Sequence, residues 1–161
     1  MQNSPLIQFC YYLERTPLNA AIQDNFWIVP TLQTIHILGI ASVLVGILLI
    51  NLRILGMHGQ SESIAIVIAR YRSLVWLPLP ILLITGCIMI VGEPARSLTN
   101  PAFQLKMLML LAVMCITLIF QKKWHNKNSF APANSATRLL AILSLALWIG
   151  IVAAGRWIAY A

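Results

Sequence analysis

Residues 29–50 read VPTLQTIHILGIASVLVGILLI, a run without a single carboxylate, lysine or arginine. A helix rises about 1.5 Å per residue, so this run is long enough to cross the roughly 30 Å hydrocarbon core of a bilayer. Lipid offers no hydrogen bonds to an open backbone, and a helix satisfies its own. The stretch therefore reads as a membrane-spanning helix.

Working outward, long apolar runs recur at residues 74–91, 103–120 and 137–155, the third span carrying Lys106 and the fourth Arg138 near their starts. Pro78 and Pro80 fall in the first turns of the second stretch, where proline is best tolerated, and Glu93-Pro94 ends it. The expected fold is all-α: an integral membrane four-helix bundle in one transmembrane domain covering 1–161, with an N-terminal interfacial segment over 1–28. In that segment Leu6, Ile7, Phe9, Cys10 and Leu13 share one helical face, closed by Glu14 and Arg15 before Pro17. This predicts a short amphipathic helix at the membrane surface, or an arm packed on the bundle. Phe26, Trp27 and Pro30 mark the headgroup level, where aromatic residues gather.

Composition agrees. Of 161 residues, 60% are hydrophobic and 9% charged, against roughly a quarter charged in a soluble domain. The net charge of +7 is spread over span ends and connections, which argues against a nucleic-acid surface. The first dozen residues lack a basic start, an apolar run and a small-residue cleavage site, so retention of the N-terminus is expected. Lysines and arginines favour cytoplasmic loops. The connections after spans one and three hold seven: Arg53, Arg70, Arg72, Lys122, Lys123, Lys127 and Arg138. The other side holds four: Arg15, Arg96, Lys106 and Arg156. That excess predicts a multi-pass protein of the bacterial inner membrane with both termini periplasmic.

His36 is the most informative residue. It lies about two turns inside the first span, and an ionisable group at that depth normally faces the bundle interior. At about 100° per residue, His36, Gly39, Val43, Gly46, Ile50 and Arg53 form one stripe. Gly39 and Gly46 would either let a neighbouring helix approach closely or leave room for a flat macrocycle. Lys106, at the start of the third span, and Arg156, at the end of the fourth, reach a similar depth from the same side. Singly, each reads as an interfacial anchor; together with His36 they outline a site. His58 and His125 fall among polar residues in the opposite connections and read as solvated.

A second donor set is soft: Cys87, Met89, Met107 and Met109, with His36, would suit Cu(I). Methionine also packs readily in apolar helices. The three cysteines, Cys10, Cys87 and Cys115, show no CxxC or zinc spacing, and no structural disulfide is expected. Glu14, Asp24, Glu62 and Glu93 all lie outside the spans, so paired-carboxylate catalysis and an intramembrane carboxylate relay have no candidates. No GxSxG elbow and no CxxCH haem-attachment motif is present.

The segments TLQTIHILGIASVLVGILLINLRILG (31–56), NPAFQLKMLMLLAVM (100–114) and LSLALWIGIVAAGRWIAYA (143–161) resemble a poorly characterised family of small bacterial four-helix membrane proteins. The resemblance runs from about Trp27 to the end, and its GRWIAY segment is its most specific part. More distantly, the pattern is similar to the CopD copper-resistance and HemJ haem-binding membrane families. Both place a histidine early in one helix and a lysine at the start of a later one; by position these are His36 and Lys106. The longer N-terminal segment here departs from HemJ. The resemblance implies either haem b or copper. The expectation is haem b near the periplasmic face, in a cytochrome b-like oxidoreductase or electron-transfer subunit. His36 would ligate the iron, and Lys106 would act either as a neutral second ligand or, with Arg156, as a propionate partner. CopD-like copper binding or transport, and a structural homo-oligomer without cofactor, stand as alternatives. No redox partner is specified.

Overall fold

The computed structural model describes residues 4–124 and 133–158. Among these the chain is helical, with no strand: α1 (Pro5–Glu14), α2 (Pro17–Asp24), α3 (Ile28–Leu55), α4 (Ile64–Trp76), α5 (Pro78–Gly92), α6 (Pro94–Leu98), α7 (Pro101–Trp124) and α8 (Ser135–Ile158). Four helical stretches are long and apolar enough to cross a membrane: Ile28–Leu55, Ile64–Gly92, Pro101–Trp124 and Ser135–Trp157.

Each start and stop has a local cause. Ser4 and Thr16 cap α1 and α2 by accepting hydrogen bonds from the Ile7 and Asn19 amides, each just before a proline whose fixed φ suits the first helical position. Ser63 caps α4 in the same way. Gly56 ends α3 in the left-handed region (φ 78°), and the amides of Gly56 and Met57 return to the carbonyls of Arg53 and Leu52.

The second span differs from the sequence expectation. It begins at Ile64, about ten residues before the apolar run, so Arg70 and Arg72 belong to helix α4 and not to a loop. Both arginines are exposed, and Arg70 is salt-bridged to Glu62 at 2.5 Å. Pro78 lies in the interior of this span, at the α4–α5 junction. Proline has no amide hydrogen, so the Leu74 carbonyl loses its helical donor. Ser42 of α3 supplies one instead, its hydroxyl donating to that carbonyl at 3.2 Å.

Helix α3 packs on α4, α5 and α8; α8 in turn packs on α7, and α4 reaches α7. The core gathers Val43, Ile47, Ile50 and Ile54 of α3, Val113, Ile116 and Phe120 of α7, and Ala141, Trp148 and Ile151 of α8. The N-terminal segment is a packed arm of two helices. It lies against α5 and α6, burying Cys10 and Ile22 while Phe9, Tyr11 and Tyr12 stay exposed. The side-chain amide of Asn19 donates to the Val91 and Gly92 carbonyls (2.8 and 3.1 Å), and that of Gln23 donates to Gly92 (2.6 Å), closing the C-terminus of α5.

Candidate functional site

Burial is uneven along the bundle. In α3 no residue before Val43 is buried, and in α7 none before Val113. In α8 none of the described residues after Ile151 is buried. The starts of α3 and α7 and the end of α8 therefore make a loosely packed end, and His36 and Lys106 both lie in it, half-buried.

His36 Nδ1 lies 2.7 Å from Thr85 Oγ1 on α5. The same oxygen lies 2.7 Å from the Ile81 carbonyl and 3.3 Å from that of Leu82, in its own helix. Thr85 is buried. A hydroxyl has one proton and two lone pairs, so it can donate to one of these neighbours and accept from another. Next to Thr85, Gly86 faces the imidazole: a Cβ there would stand 3.5 Å from His36 Cε1. The Cε1 edge of the ring thus faces the side-chain-free surface of α5 at Gly86.

Lys106 reaches from α7 toward α8. Its Nζ lies 3.8 Å from where a Cβ on Gly155 would stand, beside the exposed Arg156. Residues from α3, α5, α7 and α8 thus converge at one end of the bundle: His36, Thr85, Lys106 and Gly155.

The other sequence-derived candidates lie elsewhere. A Cβ on Gly39 would stand 2.9 Å from Leu82 Cδ2, and one on Gly46 would stand 2.9 Å from Val75 Cγ2 and 3.1 Å from Leu74 Cβ. Space beside both glycines is filled by α4 and α5, which is the helix-packing alternative. Cys87 is exposed, Met107 is 40% exposed, and Met109 turns to α8, its Sδ 3.0 Å from a Cβ position on Gly150. Met89 is half-buried. Among the described residues no group of three or more His, Cys, Asp or Glu could hold a metal ion. His58 is exposed in the α3–α4 connection; His125 and Lys127 lie outside the described residues.

Thr85 and Gly86 were not singled out in the sequence. A threonine and a glycine inside an apolar run read as filler, and their meeting with His36 depends on the register of α3 against α5, 49 residues apart.

Residues 22–161 match the model of a family of unknown function, DUF6644. The chain belongs to that family. Neither the curated proteins nor the solved structures yield a match. The His36 end, with all four spans, lies wholly within the portion shared with the DUF6644 family. Membership agrees with the resemblance to a poorly characterised membrane family; it makes no link to CopD or HemJ.

Proposed function

We propose that the protein is a small membrane redox protein that binds haem b at the His36 end of the bundle. The reading rests on one observation: the hydrogen bond that holds the His36 ring. With its proton given to the Ile81 carbonyl, the Thr85 oxygen accepts from His36 Nδ1–H, and Nε2 then presents its lone pair. Metal-ligating histidines are typically held this way, the second ring nitrogen donating to a fixed acceptor. The loose packing at the starts of α3 and α7 favours a planar ligand over one more side chain. Lys106 and Arg156 supply positive charge at the same end, suited to haem propionates. His36 would hold the haem, which would supply one-electron redox chemistry at a potential tuned by the residues and burial around it.

The excess of basic residues around the other end's connections supports placing this site toward the periplasm of a bacterial inner membrane. A redox partner, and a homo-oligomer in the bilayer, belong to the same reading.

A visible spectrum of the gently purified protein, oxidised and then dithionite-reduced, tests the proposal. A Soret band with α and β bands sharpening on reduction is expected, and it should vanish in His36→Ala while helical content is kept. Colourless protein from haem-replete cells, an unchanged spectrum in His36→Ala, or stoichiometric copper without iron would overturn it.

A further inference from the structure

At the opposite end of the bundle, four polar side chains meet inside the apolar core. Asn51 of α3 and Ser144 of α8 are each 1% exposed, and Thr117 of α7 is 5% exposed. Asn51 Nδ2 donates to Ser144 Oγ at 3.3 Å, and Thr117 Oγ1 donates to the Val113 carbonyl at 2.9 Å. Four buried side-chain atoms find no hydrogen-bond partner among the described residues; two are the indole nitrogens of Trp76 and Trp148, and the two in this cluster are the acceptor Asn51 Oδ1 and the donor Gln121 Nε2. Both residues line the same small cavity of about 10 Å³, together with Ser144, Thr117, Ile47, Ile50, Ile68 and Phe120.

Leaving a buried polar group without a partner is costly, because its water hydrogen bonds are lost and not replaced. A cavity of about 10–15 Å³ on this measure holds a single water, provided the walls offer it polar partners. We infer that the cavity at the Asn51 end is a binding site for one water molecule, which donates to Asn51 Oδ1 and accepts from Gln121 Nε2. The walls favour water over a monovalent cation. They are mostly hydrocarbon, and an amide N–H directed into the cavity would repel a cation, whereas water can both donate and accept. The consequence is architectural. Helix α3 packs directly on α8 but leans little on α7, and the water supplies a polar tie between α3 and α7. Polar groups in a membrane interior gain most where their alternative is an unsatisfied partner in hydrocarbon.

The test is a water-contact NMR experiment on protein selectively ¹⁵N-labelled at Asn and Gln in nanodiscs, joined to a double-mutant cycle in thermal unfolding. The Gln121 side-chain amide protons should show a long-lived cross-relaxation signal to water, which disappears in Asn51→Leu. Gln121→Leu and Asn51→Leu should each lower the melting temperature by a few degrees. The double variant should melt no lower than the worse single one, because both lose the same water. Three results would overturn the inference: no water signal at Gln121 in the wild type, strictly additive melting shifts, or a rise in wild-type melting temperature with sodium over choline chloride that Asn51→Leu abolishes. Should either variant fail to fold, the wild-type water signal at Gln121 still decides the matter.

Discussion

The two ends of this bundle are built on opposite principles. At the Asn51 end, α3, α7 and α8 interlock around Ile50, Ile54, Phe120 and Trp124, and even Arg53 is only 5% exposed, its guanidinium donating to the Glu62 carbonyl at 2.9 and 2.6 Å. At the His36 end the same helices bury almost nothing. One polar contact, His36 to Thr85, stands where the other end has a continuous core. Between helices in lipid there is little hydrophobic drive, so association depends on close packing and hydrogen bonds. The packed end therefore holds the spans in register, and the open end can keep a half-buried imidazole without unfolding the bundle. A functional constellation needs rigid elements beneath it, and here the packed core and the half-buried His36 lie toward opposite ends of the bundle.

The sharpest way to break this comparison is to remove packing at each end. Phe120→Ala should cost about 3–5 kcal/mol, as large-to-small core changes do. Met107→Ala, at a side chain 40% exposed near the other end, should stay within about 0.5 kcal/mol. Thermal unfolding in one detergent decides it; equal costs at the two positions would mean the ends are not distinct. Small-to-large changes offer the converse. Leucine at Gly46 would drive a side chain into Leu74 and Val75 and should cost about 1–3 kcal/mol. Gly86→Ala meets His36 only at ordinary contact distance, so the melting temperature should hold. A Gly86→Ala protein that unfolds easily would show that the His36 end is close-packed after all.

The contrast also explains what could be read from the sequence. The four spans were legible because length and apolarity alone decide a membrane crossing, and His36 and Lys106 stood out because charge inside a span is rare. The start of the second span was not legible. Arg70 and Arg72 break the hydropathy, yet a helix carries exposed arginines without interruption, and the Ser63 cap, not the apolar run, sets its beginning. The second arm helix was not expected, although Thr16-Pro17 is a cap followed by a first-turn proline. Gly39 and Gly46 lie on the His36 stripe, but only the positions of α4 and α5 show that their space is taken. Thr85 and Gly155 were beyond reach for the same reason: each matters through a neighbour on another helix.

A smaller effect tests whether the His36 ring is held for ligation. Thr85→Val keeps the shape of the side chain and removes the oxygen hydrogen-bonded to Nδ1. Loss of such a supporting hydrogen bond typically lowers metal affinity about 10–100-fold. Haem titration into the variant should show that drop, with the melting temperature of the haem-free protein shifted by less than the Phe120→Ala change. Unaltered haem affinity would leave the Thr85 contact as a structural tie only.

The smallest expected effect concerns the arm. Gln23 and Asn19 hold the end of α5 through the Val91 and Gly92 carbonyls. A net hydrogen bond contributes about 0.5–1.5 kcal/mol, and Gln23 is itself exposed, so Gln23→Ala should fall at the low end. Global melting should scarcely move, because the core that resists unfolding lies at the other end of the bundle. Local opening is another matter: the arm rests on few buried residues, Cys10 and Ile22 chief among them, and segments of that kind open well below the global free energy. Protease cleavage near the α1–α2 junction should therefore quicken several-fold in Gln23→Ala, and further in Asn19→Ala, whose amide is bound twice. If cleavage quickened and haem affinity fell with it, the arm would be closing the open end as well as capping α5. If cleavage quickened with affinity unchanged, the site would depend on the four spans alone, with the arm as an attachment at their rim.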